Sequence, residues 1–294
     1  MSLRARPMSA ALVSDPRVQP ELRRLWLDAA GREGVEVTEV PGHRLSLSVN
    51  ENRCEVLFDG RTMCPDVVVL RTAGIFMPLL TLADKLWQER GIETINNTKS
   101  VNIARDKLAT SLVLYKYKIP FVPTSGFYRG GDVAENLSAT IVKPAVGSQG
   151  NGVTLYNDSV SAMESLGDTV RAKEEGHLVS QPFLGPHGHD LRCFVVDGEC
   201  VAMMRRHALE GGFINNTNKG GRVESLYLRE AADLAVKATE SLGLFYAGVD
   251  IVESNPMRVL EVNSLPSFVK LKEATGVNPA EHIWRGIKRR TGRV

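Results

Sequence analysis

The stretch that decides the fold is RVLEVNSLPS, residues 258–267, an apolar strand that runs into a turn. Side chains two positions apart on a strand point to the same face. Glu261 and Asn263 are therefore predicted to share one face, and Leu260 and Val262 the other. A carboxylate held among apolar neighbours needs a compensating partner. The identity of the partner of Glu261 is the first question that this sequence raises.

The segment just upstream supplies a second carboxylate for the same site. Residues 246–253 read YAGVDIVE, an apolar strand that contains Asp250, and the short turn SNP predicts antiparallel pairing with the strand that follows. Asp250 then lies across from Glu261 and Asn263. Three oxygen ligands without histidine or cysteine suit a hard cation such as Mg²⁺. The alternative is an acid pair satisfied by arginines, since two close carboxylates would otherwise repel.

A glycine loop follows a strand lysine near the middle of the chain. Residues 141–153 read IVKPAVGSQGNGV, with Lys143 at the end of the strand and three glycines between Gly147 and Gly152. Glycines let a backbone approach a phosphate, and lysine supplies a point charge beside it. The loop is neither a Walker A loop nor a GxGxxG motif. Alone, it fits a flexible hairpin equally well.

Composition excludes several classes of protein. The chain has 294 residues, 43% of them apolar and 24% charged, and a net charge of +2, so no global field favours nucleic acid or membrane. No apolar run approaches the roughly 18 residues of a membrane span. The cysteines show no CxxC spacing and no secretion signal is recognised, so we expect reduced thiols in a cytoplasmic protein. The basic residues near the C-terminus predict a solvated helix face.

The first hundred residues alternate strand and helix patterns. Strand patterns occur at MSAALVSD, VEVTEV and PDVVVLRT. A helix pattern, ELRRLWLDAAGREG, lies between the first two strands, and a second, LLTLADKLWQERG, follows the third. This alternation predicts a small open parallel sheet. Ligands in such sheets lie beyond the carboxyl ends of the strands, which is where Arg71 is placed. A surface arginine is the alternative interpretation.

The second part of the chain has shorter strands and reads as an α+β domain. Residues 100–120 predict one helix that ends at Pro120, and the new texture begins at about Ser138. Strands are expected at 139–143, 153–156, 177–181, 190–196, 199–206 and in the two segments around Asp250 and Glu261, with helices at 159–171 and 229–242.

These motifs together resemble the ATP-grasp fold, and within it the RimK-type amino-acid ligases. The likeness rests on RDKLAT, IVKPAVGSQGNGV, QPFL, HDLRCFVVDGECVAMMRR, NNTNKGG, AGVDIV and LEVN, which occur in order between residues 66 and 287. The resemblance implies an α/β (α+β) protein with a small parallel-sheet domain before a two-lobed ATP-grasp fold. We expect a pre-ATP-grasp domain over 1–100, a central lobe over 101–181 and a C-terminal lobe over 182–294.

The resemblance also implies roles for the residues that match the family's motifs. The nucleotide phosphates would contact two lysines and the glycine loop, namely Lys107, Lys143, Ser148, Gly150 and Gly152. The nucleoside would contact a linker strand and an acid near the ribose, namely Gln181, Pro182, Phe183, Leu184 and Asp190. A polar loop would add contacts to the cofactor from Asn215 and Asn216. The catalytic cations over the transferred phosphoryl group would be Arg192 and Arg206. The metal ligands would be Asp250, Glu261 and Asn263, so that the partner of Glu261 is a metal ion.

Two departures from the family pattern stand out. Pro182 replaces a usual acidic residue in the linker, and because proline has no N–H, an adenine contact there needs a carbonyl or a neighbour. Ile214 occupies the place of a usual loop arginine. Lys219 or Arg205 could supply the missing cation.

The function implied is an ATP-dependent carboxylate–amine ligase. It would add an amino acid, L-glutamate by resemblance, to an acceptor carboxylate through an acyl phosphate, using ATP and two Mg²⁺ ions, with Mn²⁺ as an alternative. The acceptor is a small-molecule cofactor tail, a biosynthetic intermediate or a ribosomal protein C-terminus, and neither nucleic acid nor membrane is a partner. Two other classes stay open: an ATP-grasp kinase and a nucleotide-binding regulator without turnover. The oligomeric state, including a homo-oligomer, is not determined by the sequence.

Overall fold

The secondary structure is taken from a computed structural model that describes residues 6–128, 139–147, 151–158, 161–162, 176–184, 188–208 and 222–292. The strands are β1 Met8–Ser14, β2 Val35–Pro41, β3 Leu45–Asn50, β4 Arg53–Phe58, β5 Arg61–Thr62, β6 Val67–Arg71, β7 Glu93–Ile95, β8 Ser125–Phe127, β9 Thr140–Pro144, β10 Thr154–Tyr156, β11 Leu178–Pro182, β12 His189–Val196, β13 Glu199–His207, β14 Val223–Ser225, β15 Tyr246–Val252 and β16 Arg258–Asn263. The helices are α1 Pro20–Arg32, α2 Met77–Glu89, α3 Thr98–Arg105, α4 Lys107–Lys116, α5 Arg229–Ser241, α6 Val269–Thr275 and α7 Pro279–Arg290.

The first sheet confirms the predicted parallel N-terminal unit. Its strand order is β2-β1-β6-β7, and every neighbouring pair is parallel. All five residues of β6 are buried, as its continuous apolar sequence predicts for a strand covered on both faces. Helix α1 turns Leu22, Leu25 and Ala29 into the core at the spacing expected from the sequence.

A three-stranded antiparallel meander, β3-β4-β5, branches from this unit between β2 and β6. No strand was predicted for this stretch. In β3, Leu45 is buried and the other residues are half-buried or exposed. The sequence LSLSVN alternates apolar and polar residues, so the two-residue periodicity of a strand was present and was missed.

The second sheet has the order β10-β9-β11-β8 and is antiparallel. Its predicted strands at 139–143, 153–156 and 177–181 are found within one residue of those bounds. The helix expected at 159–171 lies outside the described residues, except for 161–162, which are helical.

The third sheet has the order β14-β13-β12-β15-β16 and is also antiparallel. Helix α5 packs on one side of it. The core of this side also includes Ala104 of α3 and Leu114 of α4. Helices α3 and α4, which precede the second sheet in the chain, are thus packed on the third sheet. The predicted domain boundaries at residues 100 and 181 remain a prediction.

The prediction of a single helix over 100–120 is wrong, because the helix is interrupted at Asp106. That residue has an extended backbone with φ −97° and ψ 116°, and its carboxylate accepts hydrogen bonds from the N–H groups of Leu108 and Ala109. Aspartate is a preferred N-cap because it satisfies the free donors of a first helical turn. The cap places Lys107 at the first position of the new helix.

The first and third sheets share one hydrophobic core. Trp26 of α1 packs at 5.7–5.9 Å between ring centroids against Trp284, Tyr246 and Phe268. The Trp284 Nε1 donates to the Trp26 carbonyl at 3.1 Å. Helix α7, predicted from the basic C-terminal run, lies beside α1 through these contacts. None of the described helices is long and apolar enough to cross a membrane.

Candidate functional site

A cleft of about 1300 Å³ lies where the carboxyl end of β6, the start of the glycine loop, the end of β11 and the third sheet meet. It is lined by every predicted site residue that the structure describes except Gly152. These residues are Lys107, Lys143, Gln181, Pro182, Phe183, Leu184, Asp190, Arg192, Arg206, Asp250, Glu261 and Asn263. The fold therefore brings together positions that are up to 156 residues apart in the chain.

Strands β15 and β16 oppose the two carboxylates as the sequence predicts. Asp250 pairs directly with Glu261, and Asn263 pairs with Gly248. A side chain at residue 248 would approach Pro266 to 2.9 Å and the Arg192 side chain to 3.3 Å. Glycine at 248 thus lets the turn after β16 close over the site.

A bulge corrects the predicted alternation along β16. The register shifts so that Val259 pairs with Ile251 and Glu261 with Asp250, which leaves Leu260 as the extra residue. Val259 and Val262 are therefore the core residues, while Leu260 is half-buried and lines the cleft. The expectation that Leu260 shares the core face with Val262 is wrong, because a β-bulge inserts one residue and shifts the facing of its neighbours.

Asp250 is held by two arginines. Its carboxylate accepts from Arg192 Nε and from Arg192 Nη2 at 2.7 Å, and Arg206 Nη2 lies 2.9 Å away. Arg206 also binds Asp190 through two hydrogen bonds of 2.7 Å. Strands β12, β13 and β15 thus present one buried network of two acids and two cations, with both carboxylates fully engaged.

Burial and charge shift these groups in different directions. Burial opposes ionisation of Asp250, but Arg192 and Arg206 outweigh it and lower the pKa of this carboxyl. For Asp190, burial is the largest effect and raises the pKa against the opposing charge of Arg206. Asp250 is therefore the firmly ionised member of the network.

Two buried lysines face the acids from the other side of the cleft. Lys107 Nζ lies 3.3 Å from the Gly147 carbonyl and 3.9 Å from Glu261 Oε1. Burial lowers the pKa of Lys143 to about 8, with Glu261 opposing the shift and Lys107 adding to it. A neighbouring anion favours the protonated form of such a lysine, and a phosphate group supplies one.

The metal site predicted from Asp250, Glu261 and Asn263 fits in part. The described residues hold no cluster of three or more histidine, cysteine, aspartate or glutamate side chains that could bind a metal ion. The arginine alternative holds for Asp250, because both its oxygens already have cationic partners. Among the described residues, Glu261 faces the two lysines, with Lys107 Nζ at 3.9 Å, and has no arginine partner. Its carboxylate stays open to a metal ion beside the Asn263 oxygen, so the metal assignment remains a prediction.

The linker strand is shaped for recognition by carbonyl groups. Pro182 has no N–H, and the Phe183 N–H donates to the Ala139 carbonyl at 2.8 Å. Gln181 is buried, with its Nε2 on Thr124 Oγ1 at 2.9 Å and its Oε1 without a partner among the described residues. A buried acceptor of this kind, on a residue that lines the cleft, suits the amino group of a purine.

Several predicted residues lie outside the part of the chain that the structure describes. These are Ser148, Gly150, Asn215 and Asn216, together with Ile214 and Lys219. Gly152 is described; its φ is +69°, which favours glycine, and a side chain there would approach Pro144 to 3.1 Å. Arg205 was one candidate to replace the missing loop cation, and it is engaged by Glu253 through two hydrogen bonds of 2.8 Å.

Sequence reasoning missed the support of the lysine pair. The Lys107 N–H donates to the Ala145 carbonyl, and Asp106 lies 3.4 Å from His177 Nε2, so the helix cap is tied to the base of the glycine loop. The available signal was the order Asp-Lys, in which an N-cap residue directly precedes a buried cation.

Comparison with known protein families identifies the larger part of the chain. A family described as the RimK-like ATP-grasp domain matches residues 104–287. A protein named probable alpha-L-glutamate ligase from Thioalkalivibrio sulfidiphilus (strain HL-EbGR7) is 32% identical over 286 residues, which cover 94% of each chain.

Solved structures agree in fold. A RimK domain ATP-grasp protein from Sphaerobacter thermophilus DSM 20745 matches with a TM-score of 0.69 at 19% identity, over 95% of this chain and 98% of that one. The ATP-grasp ligase PsnB, solved with a minimal precursor, Mg and ADP, matches with a TM-score of 0.71 at 18% identity, over 97% and 98%. The predicted fold class is thereby confirmed.

Proposed function

The chain belongs to the RimK-like ATP-grasp family, and we propose that it is an ATP-dependent ligase that joins a carboxylate to the amine of an amino acid. The observation that carries the proposal is the cleft, in which two buried lysines face the opposed carboxylates Asp250 and Glu261. Curated relatives named probable alpha-L-glutamate ligase support L-glutamate as the amino acid.

The cleft has complementary places for the parts of ATP. Lys107 and Lys143 would bind the phosphates, and their positive charge would offset the charge that develops during transfer. The carbonyl groups of the linker and the Gln181 Oε1 would accept hydrogen bonds from the adenine amino group. Leu260, turned into the cleft by the bulge, adds an apolar surface for the base.

Glu261, Asn263 and Asp250 would hold Mg²⁺, which when bound neutralises phosphate charge and orients the transferred group. Asp250 would then exchange part of its arginine contacts for the metal, leaving Arg192 and Arg206 to face the phosphoryl oxygens. We propose two ions, with Mn²⁺ as a substitute. The solved PsnB complex contains Mg and ADP.

The reaction takes two steps. A carboxylate oxygen of the acceptor attacks the γ-phosphorus of ATP, the bond from that phosphorus to the β–γ bridging oxygen breaks, and ADP leaves with this electron pair. The amine of the amino acid then attacks the carbonyl carbon of the acyl phosphate, loses a proton and expels inorganic phosphate. Arg206 would stabilise the oxyanion of the tetrahedral intermediate.

The acceptor and the compartment are finer proposals. We favour a small-molecule carboxylate over a ribosomal protein C-terminus, because the net charge of +2 gives no general attraction to a ribosomal partner. All four cysteines are free thiols, which fits a reducing cytoplasm.

The test is a matrix of carboxylates and amino acids scored by ADP release. We expect release to need an acceptor acid, and fast release to need an amino acid as well. Hydroxylamine should partly replace the amino acid and give a hydroxamate of the acceptor, because it traps acyl phosphates. The proposal gives way to a kinase if ADP forms with a stable phosphorylated alcohol and no amide or hydroxamate, and to a regulator if ATP binds without any turnover.

A further inference from the structure

Arg71 lies at the carboxyl end of β6, the place where open parallel sheets bind ligands. Its residue exposure is 8%, so the surface-arginine alternative is wrong. The guanidinium packs 5.3 Å from the ring centroid of Trp26 and 6.0 Å from that of Tyr246. Arg71 is therefore a buried cation held flat against aromatic faces.

Among the described residues, the guanidinium of Arg71 has no carboxylate partner. Its Nη2 donates to the Pro266 carbonyl at 3.2 Å, while its Nη1 is buried with no hydrogen-bond partner among the described residues. Of the other arginines that line the cleft, Arg192, Arg206 and Arg17 each form an ion pair, while Arg105, which is half-buried, forms none among the described residues. A buried charge without an opposite charge is costly, and the fold keeps it where a ligand can approach.

The position of Arg71 links the N-terminal sheet to the reactive end of the cleft. Pro266, whose carbonyl it contacts, follows Asn263 by three residues, a span of at most about 11 Å. Thr72, the next residue, also lines the cleft, and its buried Oγ1 has no hydrogen-bond partner within the part of the chain that the structure describes. One donor on Arg71 and one hydroxyl on Thr72 are thus both unsatisfied beside the same site.

We propose that Arg71 and Thr72 bind a substrate carboxylate that does not become phosphorylated during the reaction. The inference rests on the ligase function proposed above, which requires a carboxylate-bearing amino acid and a carboxylate-bearing acceptor. A planar guanidinium matches a carboxylate in shape and charge. The phosphorylated carboxylate must turn an oxygen towards ATP, and a strong hydrogen bond to Arg71 would weaken it as a nucleophile. A spectator carboxylate suffers no such conflict.

The experiment measures binding separately from turnover. L-Glutamate, L-glutamine and L-isoglutamine are titrated by calorimetry into the full chain saturated with Mg²⁺ and ADP, using wild type, Arg71→Met and Arg71→Lys. We expect Arg71→Met to weaken binding of the recognised carboxylate by about tenfold or more, with a partial loss in Arg71→Lys, which keeps the charge but not the fork. Weak binding of L-glutamine to the wild type would identify the side-chain carboxylate as the recognised group. Weak binding of L-isoglutamine would identify the α-carboxylate.

A stability measurement excludes a purely structural role. Met fills the space of the buried arginine stem without a charge, and removal of an unpaired buried charge is neutral or stabilising. We therefore expect Arg71→Met to keep or raise the Tm. Arg23→Met, on α1 and exposed, is the matched control, because its arginine pairs with Glu39 away from the cleft and should leave binding unchanged.

The two substrate sources separate in the kinetics. If the amino acid carries the spectator carboxylate, Arg71→Met raises the KM of the amino acid and weakens the calorimetric titration. If the acceptor carries it, only the KM of the acceptor acid rises. Equal affinity and equal KM values in wild type and Arg71→Met, or a Tm lowered with both unchanged, would overturn the proposal. Failure of the ligase proposal is a different result, namely no acid-dependent ADP release by wild type.

Discussion

Asp250 and Glu261 are direct neighbours on paired strands, yet their surroundings differ. Asp250 is enclosed by Arg192 and Arg206, while Glu261 is half-buried with Lys107 as its nearest cation at 3.9 Å. A substitution at Asp250 therefore disturbs a buried ion network as well as any metal ion. Substitution at Glu261 leaves that network intact and is therefore the better test of the metal.

We predict that Glu261→Gln lowers the rate of ATP turnover by two or more orders of magnitude. The amide keeps the size of the side chain but removes a charge from the metal shell, and the loss of one strong electrostatic contact costs about 3 kcal/mol. Steady-state ADP release at saturating Mg²⁺ measures the effect. Asp250→Asn should lower the Tm in addition, because it leaves two buried arginines with weaker partners. Near wild-type turnover in Glu261→Gln would contradict the metal assignment.

The lowered pKa of Lys143 predicts a pH dependence of ATP binding. Only the protonated amine carries the charge that a phosphate needs, and burial lowers the pKa to about 8. In the protein without nucleotide, ATP affinity should therefore fall as the pH rises from about 7 to about 9.5, while an ordinary lysine would stay charged. Equilibrium binding of ATP across this range is the measurement. Lys143→Arg, which keeps its proton, should flatten the profile.

The same group predicts an opposite trend in stability. The pKa of Lys143 is lower in the folded protein than the ordinary value of about 10.4 in the unfolded chain. Below about pH 8 both states hold the proton, and the cost of burying the charge is fully present. Between about pH 8 and 10.4 the folded state binds fewer protons, so stability rises with pH relative to Lys143→Met. A parallel pH profile in the two proteins would show that Lys143 does not titrate there.

At the scale of elements, the boundary between α3 and α4 positions one of the phosphate lysines. Asp106 caps α4, Lys107 follows it, and both are joined to the base of the glycine loop. The neighbouring helix α3 has an equivalent cap, Asn97, whose side chain accepts from the Ser100 N–H at 2.9 Å. These two neighbouring helices thus have similar caps, of which one leads into the cleft.

We predict that Asp106→Ala and Asn97→Ala each cost about 1 kcal/mol of stability, the usual value of an N-cap. Asp106→Ala should also raise the KM for ATP, because it releases the first turn of α4 and with it Lys107. Urea unfolding and ATP kinetics on both variants separate the effects. The same KM for ATP in Asp106→Ala and Asn97→Ala would mean that the Asp106 cap supports the fold and not the site.

The elements show how far sequence reasoning reaches. Strands buried on both faces, such as β6, and the opposed pair β15 and β16 were predictable because their apolar patterns are continuous and their turn is short. The break at Asp106 was missed, since the helical pattern continues across it. The bulge at Leu260 was also missed, because a one-residue insertion leaves the apolar composition unchanged. Sequence periodicity locates strands, whereas their irregularities depend on the packing of neighbours.

At the scale of the whole molecule, the resemblance predicted the fold class and the composition of the cleft, but not the charge pairing inside it. Pairing of Asp250 with Arg192 and Arg206 depends on strand register across β12, β13 and β15. The shared core of the first and third sheets was equally hidden, because Trp26 and Trp284 are 258 residues apart. Contacts of that range leave no local sequence pattern.

The hydrophobic cores are unequal in size. The core that joins the first and third sheets includes six aromatic side chains, namely Trp26, Phe194, Phe245, Tyr246, Phe268 and Trp284. Among the described residues, the second sheet buries only Phe127, Val142, Ala162 and Leu178 in its cluster. Segments with few buried apolar contacts open at lower free energy than the rest of a protein. Taking the described residues alone, the second sheet is therefore expected to open more easily than the core that joins the first and third sheets.

This difference predicts where ATP stabilises the protein. Strands β9 and β11 carry Lys143 and Gln181, so a nucleotide bound in the cleft adds contacts to the weaker sheet. We expect their backbone amides to exchange with solvent faster than those of β12 and β15 in the free protein, and to slow by about tenfold or more at saturating ATP and Mg²⁺. Hydrogen exchange followed by mass spectrometry measures both groups in one sample. Lys143→Met serves as the control, because it should reduce the protection of β9 and β11 at equal ATP. Protection that spreads evenly over all three sheets would instead mean that the molecule opens as one unit, and that the small core of the second sheet does not limit its stability.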